Sequence, residues 1–202
     1  MPKSITLKKS AQNSPTYGGD VNVGGVLQRL RTERGLSLRV LAQRTGFSPS
    51  FLSQLQRNQV SPSIGSLQKI AQSLGVTISA FFDAPEPPDA ITRAAERHTL
   101  RSSWSKGRIE MVQNSLRDFP VDLVLITISA GGVSGTRPTP QPRTQVALII
   151  RGEAVLTLSQ SVYVMEFADS VVIRKGVGHR WENRSAQETQ ILLATARFAD
   201  AP

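Results

Sequence analysis

The run Ala-Pro-Glu-Pro-Pro-Asp at 84–89 divides the chain into two stretches that cannot share one kind of secondary structure. Its prolines fix φ and remove backbone donors, so no helix continues through it, and the segment reads as a linker. Before it, from Val23 to Phe82, apolar residues recur at helical spacing. After it the pattern changes to short alternating runs, RIEMVQ, VDLVLITISAGG, TQVALIIRGEAVLTL, SVYVMEF, SVVIRKGVGHRWEN and ETQILLATARF, punctuated by Gly, Pro and Asn. Short strands at such spacing predict an all-β sandwich or barrel. The expected organisation is a polar, basic, disordered tail over 1–22, an all-α domain over 23–83, a linker and lead-in over 84–106, and a β domain over 107–198.

Charge is divided as unevenly as periodicity. Through Pro85 there are 10 Lys+Arg against 3 Asp+Glu, whereas the remainder carries 14 against 12. A basic first half joined to a nearly neutral second half fits a polyanion-binding module attached to something else. The chain has no cysteine, which excludes disulfides and thiolate metal sites. No apolar run approaches the ~20 residues that span a bilayer, and the first residues lack the apolar core of a secretory signal. A cytoplasmic protein with no membrane partner is expected.

Local signals place five helices. Val26, Leu27 and Leu30 share a face of the first, which Gly35 ends. Ser37 caps a second helix with Leu38, Leu41 and Ala42 inward, stopped by Gly46. Ser48 caps a third, with Pro49 at its first position and Leu52 and Leu55 on its core side. Ser61 or Ser63 opens a fourth, closed by Gly75, and TISAFF makes the fifth. Two short helices across a tight glycine turn have the form of a helix-turn-helix. The third helix carries Ser50, Ser53, Gln54 and Arg57 on its other face, side chains suited to base edges and phosphates.

The stretch from Leu30 to Val76 resembles the Xre/phage-repressor helix-turn-helix family in its LA-x-x-x-G turn, its S-x-S-F-L-S-Q-L helix and the following SPSI-x-x-L-x-K-IA-x-x-LG. The resemblance implies that the helix beginning at Ser48 lies in the major groove of double-stranded DNA. Ser50 and Gln54 are then the expected base readers, and Gln54 can pair bidentately with adenine. Phe51 either touches a thymine methyl or packs internally. Ser53, Arg57 and Arg39 are expected to hold phosphates, with the backbone N–H groups at Ser61 to Ser63. The family commonly has Glu where Gln56 stands, ion-paired with an Arg matching Arg31. Gln56 is expected to accept a neutral, weaker hydrogen bond from it.

The second half resembles a cupin, a double-stranded β-helix barrel, on the spacing of GGVSG, Gln145, Arg151-Gly152-Glu153 and ADSVVIRKGVGHRWEN. In metal-bearing cupins two His and a Glu occupy positions that fall here on Thr139, Gln141 and Gln145, while His179 matches the remaining His. Thr and Gln are poor transition-metal ligands. With only two histidines and no cysteine in the chain, three nitrogen or sulfur donors cannot be assembled. No metal or other cofactor is expected.

Thr139, Gln141, Arg143 and Gln145 alternate, so in an extended segment they face one side. Together with His179 and Trp181 they are the expected lining for a small polar, anionic effector gripped by Arg143. The same pattern allows ordered waters to satisfy the glutamines, and His179 to be bonded internally. The chain is therefore expected to be a non-enzymatic, sequence-specific transcriptional regulator. It would act as a homodimer whose barrel either senses a metabolite or serves only as a dimerisation platform. A metal-dependent cupin enzyme is the third reading.

Overall fold

The computed structural model describes residues 21–82, 91–102, 105–112 and 120–196. The run at 84–89 and the tail lysines Lys3, Lys8 and Lys9 lie outside the described residues. Helix α1 spans Val23–Glu33, α2 Leu38–Thr45, α3 Pro49–Gln56 and α4 Ile64–Ser73. Ser37, Ser48 and Ser63 each turn their hydroxyl onto a backbone N–H in the first turn of α2, α3 and α4. Gly46 closes α2 in the left-handed conformation. The expected fifth α-helix is instead a 3-10 turn at Ile78–Phe82. Five residues rich in β-branched and aromatic side chains cannot repay α-helix nucleation. Burial of Phe81 and Phe82 holds the segment in place.

The first and third helices touch through their backbones. A Cβ on Gly24 would stand 2.4 Å from the Gln56 carbonyl oxygen and 2.7 Å from that of Leu55. Asn58, at φ 54°, locks the approach. Its Oδ1 accepts the Gly24 N–H at 2.9 Å and its Nδ2 donates to the Oδ1 of Asn22 at 2.8 Å. The expected Arg31–Gln56 hydrogen bond is not made. Arg31 donates to the Leu36 carbonyl, while its Nε and the Nε2 of Gln56 are buried without partners. Both unpaired atoms are donors, so neither satisfies the other.

The β domain has two antiparallel sheets. Strands β1 (Thr99–Ser102), β2 (Gly107–Met111), β3 (Val121–Ile128), β10 (Thr189–Ala196), β5 (Gln145–Arg151) and β8 (Ser170–Ile173) form one in that order. Strands β4 (Thr139–Pro140), β9 (Gly178–Glu182), β6 (Ala154–Leu158) and β7 (Ser161–Met165) form the other. Residues 99–102, expected within the lead-in, are thus a strand of the larger sheet, paired along β2. Gln145, Ala147 and Ile149 are buried on one face of β5 while Val146 and Ile150 are exposed on the other.

The helical head is seated on the barrel. Gly65, in the first turn of α4, donates its N–H to the Ser134 carbonyl at 2.8 Å, and Gln141 Nε2 donates to Gln68 Oε1 at 3.2 Å. Ser79 Oγ donates to Asp122 Oδ2 at 2.8 Å, and the Val21 N–H to the Thr99 carbonyl at 3.1 Å. Ile64 Cδ1 lies 3.3 Å from where a Cβ on Gly107 would stand. The buried apolar residues of head and barrel accordingly form one continuous cluster.

Gly24→Ala should destabilise the fold. Helix propensity favours Ala by about 1 kcal/mol, but backbone atoms at 2.4 Å cannot rotate away, and overpacking of this kind costs up to about 3 kcal/mol. A net loss of about 2 kcal/mol in urea unfolding is the expected result, and a stabilised variant would contradict this packing.

Candidate nucleic-acid interface and barrel cavity

The outer face of α3 and its flanks is open. Arg39, Ser48, Ser50, Gln54, Arg57 and Ser61 are exposed, and Ser53 is half-buried. Arg57 folds back along its own helix, Nε to the Ser53 carbonyl at 3.3 Å and Nη2 to Ser53 Oγ at 3.2 Å. The two residues therefore act as one unit. Ser48 spends its Oγ on the Phe51 N–H as a cap. Phe51 is half-buried, packed against the core, with its ring centroid 5.1 Å from that of Phe47 at a tilt of 56°. Internal packing thus takes much of the Phe51 ring.

Ser63 sits at the rim of this face, beside Phe51 and Ser61. It is buried, its Oγ caps the Ser66 N–H, and the neighbouring Gly65 N–H is committed to the barrel. The start of α4 turns toward the barrel because its apolar residues, Ile64 first, complete the shared core.

The expected effector lining is split by the structure. Gln141, Arg143 and Gln145 come together around one small cavity of about 30 Å3. Thr139 instead borders a surface depression and donates to the Arg137 carbonyl. His179 and Trp181 are buried along β9, and neither lines the cavity. The alternation breaks because residues 141–144 form a bend between β4 and β5 rather than one continuous strand.

Arg143 is half-buried and donates to the Ala196 carbonyl at 3.0 Å. Gln145 donates Nε2 to Thr195 Oγ1 at 2.9 Å, leaving its Oε1 buried without a donor. Residues beyond the expected set complete the wall: Gln68 and Gln72 from α4, then Asp122 and Thr195 from the barrel. A glutamine among the apolar positions of α4 and an aspartate at an inward position of β3 were the available signals. What sequence alone lacked was that α4 reaches the barrel mouth.

The four cupin metal positions do not fit a metal. Two are glutamines whose amide nitrogens are committed to Gln68 and Thr195, and Thr139 bonds within its own loop. Among the described residues no group of three or more His, Cys, Asp or Glu could hold an ion. Burial holds the His179 imidazole down to about 4, the Val177 backbone pulling the other way more weakly. Its Nδ1 and the Trp181 Nε1 are buried without partners.

Residues 27–81 match the helix-turn-helix family model and residues 124–195 the cupin domain model. The chain is 30% identical over 172 residues to the HTH-type transcriptional regulator PuuR of Escherichia coli, covering 85% of this chain and 92% of the relative. It belongs to the Xre-type helix-turn-helix transcriptional regulators that carry a cupin domain. The regulator SutR of E. coli is also 30% identical, over 80% of this chain and 86% of its own length. An HTH_3 family transcriptional regulator from Vibrio cholerae shares the fold, with a TM-score of 0.67 at 20% identity over 89% of this chain and 97% of its own. This regulator is accordingly a DNA-binding protein, and among its described residues no helix is long and apolar enough to cross a membrane.

The buried imidazole gives a test in pH. The unfolded chain takes up a proton near 6.5, whereas folded His179 stays neutral to about 4. Stability from this residue is therefore full above 6.5, falls as pH drops through that window, and is flat below it. The loss is on the order of 3 kcal/mol. Urea titrations from pH 7 to 4 should show a steeper decline for the wild type than for His179→Gln, and parallel curves would place the imidazole in contact with water.

Proposed function

We propose that this regulator binds its operator as a homodimer and that the cavity between head and barrel receives a small polar effector. Ser50 and Gln54 read bases, while Arg39, Arg57, Ser53 and Ser61 hold the backbone on either side. The observation that carries the sensing half is the composition of the cavity wall. Gln68 and Gln72 come from the DNA-binding domain, and Gln141, Arg143, Gln145 and Asp122 from the barrel. A ligand there touches both domains at once. Arg143 offers a fork for an anionic group, and the unpaired Oε1 of Gln145 calls for an N–H or O–H donor on the same molecule.

A cavity of about 30 Å3 has room for roughly one water molecule. Effector binding therefore requires α4 to withdraw, breaking the Gln68–Gln141 bond, so that the ligand favours one placement of the head over another. That differential affinity is what shifts the equilibrium. The tight fit equally supports a barrel that serves only to pair two chains. Thermal-shift screening of small carboxylates, sulfonates and phosphates separates the two, since a Gln145→Leu-sensitive stabilisation belongs to the sensor alone. No catalytic role is assigned to the barrel, whose metal positions lack suitable donors.

Pairing through the barrel is supported by its outer surface. Strand β7 is the last of its sheet, with Val162 at 60% and Val164 at 64% exposure. Val172, on the edge strand of the other sheet, and Phe167 are 58% and 70% exposed. Such apolar edges are ordinarily blunted or covered. A second copy of the chain is the occupant a twofold regulator needs to place two heads about one helical turn apart. Sedimentation velocity should find a dimer that Val164→Lys converts to monomer without loss of fold, and an unaltered dimer would move the interface elsewhere.

On DNA, Gln54→Ala should cost about 1–3 kcal/mol at the cognate operator and relax preference at one base pair, whereas Arg39→Ala should weaken all sequences alike. Mobility shifts on operator and random duplexes measure both. Equal losses on both duplexes for both variants would remove the division between reader and phosphate clamp.

A further inference from the structure

The barrel loop from Ser134 to Pro140 stands beside the DNA-binding face and is firmly held there. Ser134 accepts the Gly65 N–H, donates its own N–H to the Trp181 carbonyl at 2.8 Å, and takes the Trp181 N–H on its Oγ at 2.9 Å. The Gly135 carbonyl accepts Arg180 Nε at 2.8 Å, and Arg180 is braced in turn by Glu182 at 2.9 Å. Beyond these anchors Thr136 and Arg137 are exposed.

Thr136 borders a groove of about 560 Å3 whose other walls include Phe47, Phe51 and Ser61. Arg137 borders the adjoining depression of about 280 Å3 with Phe47, Ser66 and Lys69. Phe47 walls both and immediately precedes Ser48, the cap of α3. Among the described residues no carboxylate lines either depression. Among the described residues Arg137 makes no ion pair, and Lys69 rests its ammonium 5.3 Å from the Phe47 ring centre. Two cations thus flank the start of the recognition helix, one from each domain.

We propose that Arg137 of the barrel, with Lys69 of the head, contacts a phosphate of the DNA strand bordering the major groove that α3 enters. The positive surface is continuous with the recognition face, and it lies off the end of α3, where a helix seated in a groove meets the flanking backbone. A guanidinium suits a phosphate through two parallel bonds. The DNA-binding surface then includes a residue outside the helix-turn-helix, and Arg137 keeps its place only while the head stays docked through Gly65 and Gln68. The proposal rests on the face of α3 being the one presented to DNA.

The test is fluorescence anisotropy of the full chain with a labelled random-sequence duplex over a series of KCl concentrations. Arg137→Gln should weaken binding several-fold at ~0.1 M salt and reduce the slope of log K against log salt by about 0.9 for each chain bound. Arg137→Lys, which keeps the charge, should retain the wild-type slope. Equal thermal midpoints for the three proteins tie the change to DNA rather than to folding. A wild-type slope and affinity in Arg137→Gln would overturn the proposal. Failure of the wild type itself to bind duplex would instead overturn the reading of the α3 face.

Discussion

The seating of α4 against the barrel governs the rest of this molecule. One helix donates the Gly65 N–H to Ser134, places Ile64 over Gly107, receives the Gln141 amide on Gln68 and turns Gln72 into the cavity wall. Its sequence serves two partners at once. Leu67, Ile70 and Ala71 fill the core, while the polar residues between them meet the mouth of the β domain. Here the same element joins the DNA-binding domain to the barrel directly.

The local rules of helix caps and glycine turns located four helices to within a residue or two. Serine hydroxyls at 37 and 48 and a left-handed Gly46 are decisions made by neighbouring atoms and can be read in one dimension, whereas the choice of Ser63 over Ser61 as the cap of α4 came from the structure. The alternation of β5 is equally local, and Gln145, Ala147 and Ile149 lie on its buried side. What was hidden depends on contacts distant in sequence. Strand β1 has only four residues and gains its identity from pairing with β2. TISAFF is held by burial of two phenylalanines rather than by helix propensity. The Ser63 hydroxyl is spent on capping α4, and its side chain is buried. The lining expected from Thr139 to Trp181 came apart because a bend at 141–144 interrupts the strand, and because Asp122, Gln68 and Gln72 approach from elements that no spacing rule connects.

The barrel buries polar groups whose hydrogen bonding is incomplete. The Oε1 of Gln145, the Nδ1 of His179 and the Nε1 of Trp181 are all buried without partners, and each such atom costs on the order of 1–3 kcal/mol. Of the three residues, Gln145 lines the cavity under α4, whereas His179 and Trp181 do not. Where a metal-bearing cupin gathers nitrogen and carboxylate donors, this barrel has amides already bonded to other amides and hydroxyls. Exchanging those bonds for bonds to a small molecule is an isomerisation of partners, and it leaves the number of hydrogen bonds nearly unchanged.

The backbone contact at Gly24 bears on how such an exchange would be felt at DNA. With α1 lying on the last turn of α3, and Asn58 pinning the loop that follows, the recognition helix has no hinge of its own. A movement of the head on the barrel would then carry α1 and α3 together. In a paired assembly, that motion would alter the distance and angle between the two α3 helices while leaving each helix's own base-reading side chains in place. Under the proposed dimeric, effector-responsive reading, signal and sequence preference would thereby be separated: the letters each head favours would stay the same, and what would vary is the geometry of the two half-sites they reach together.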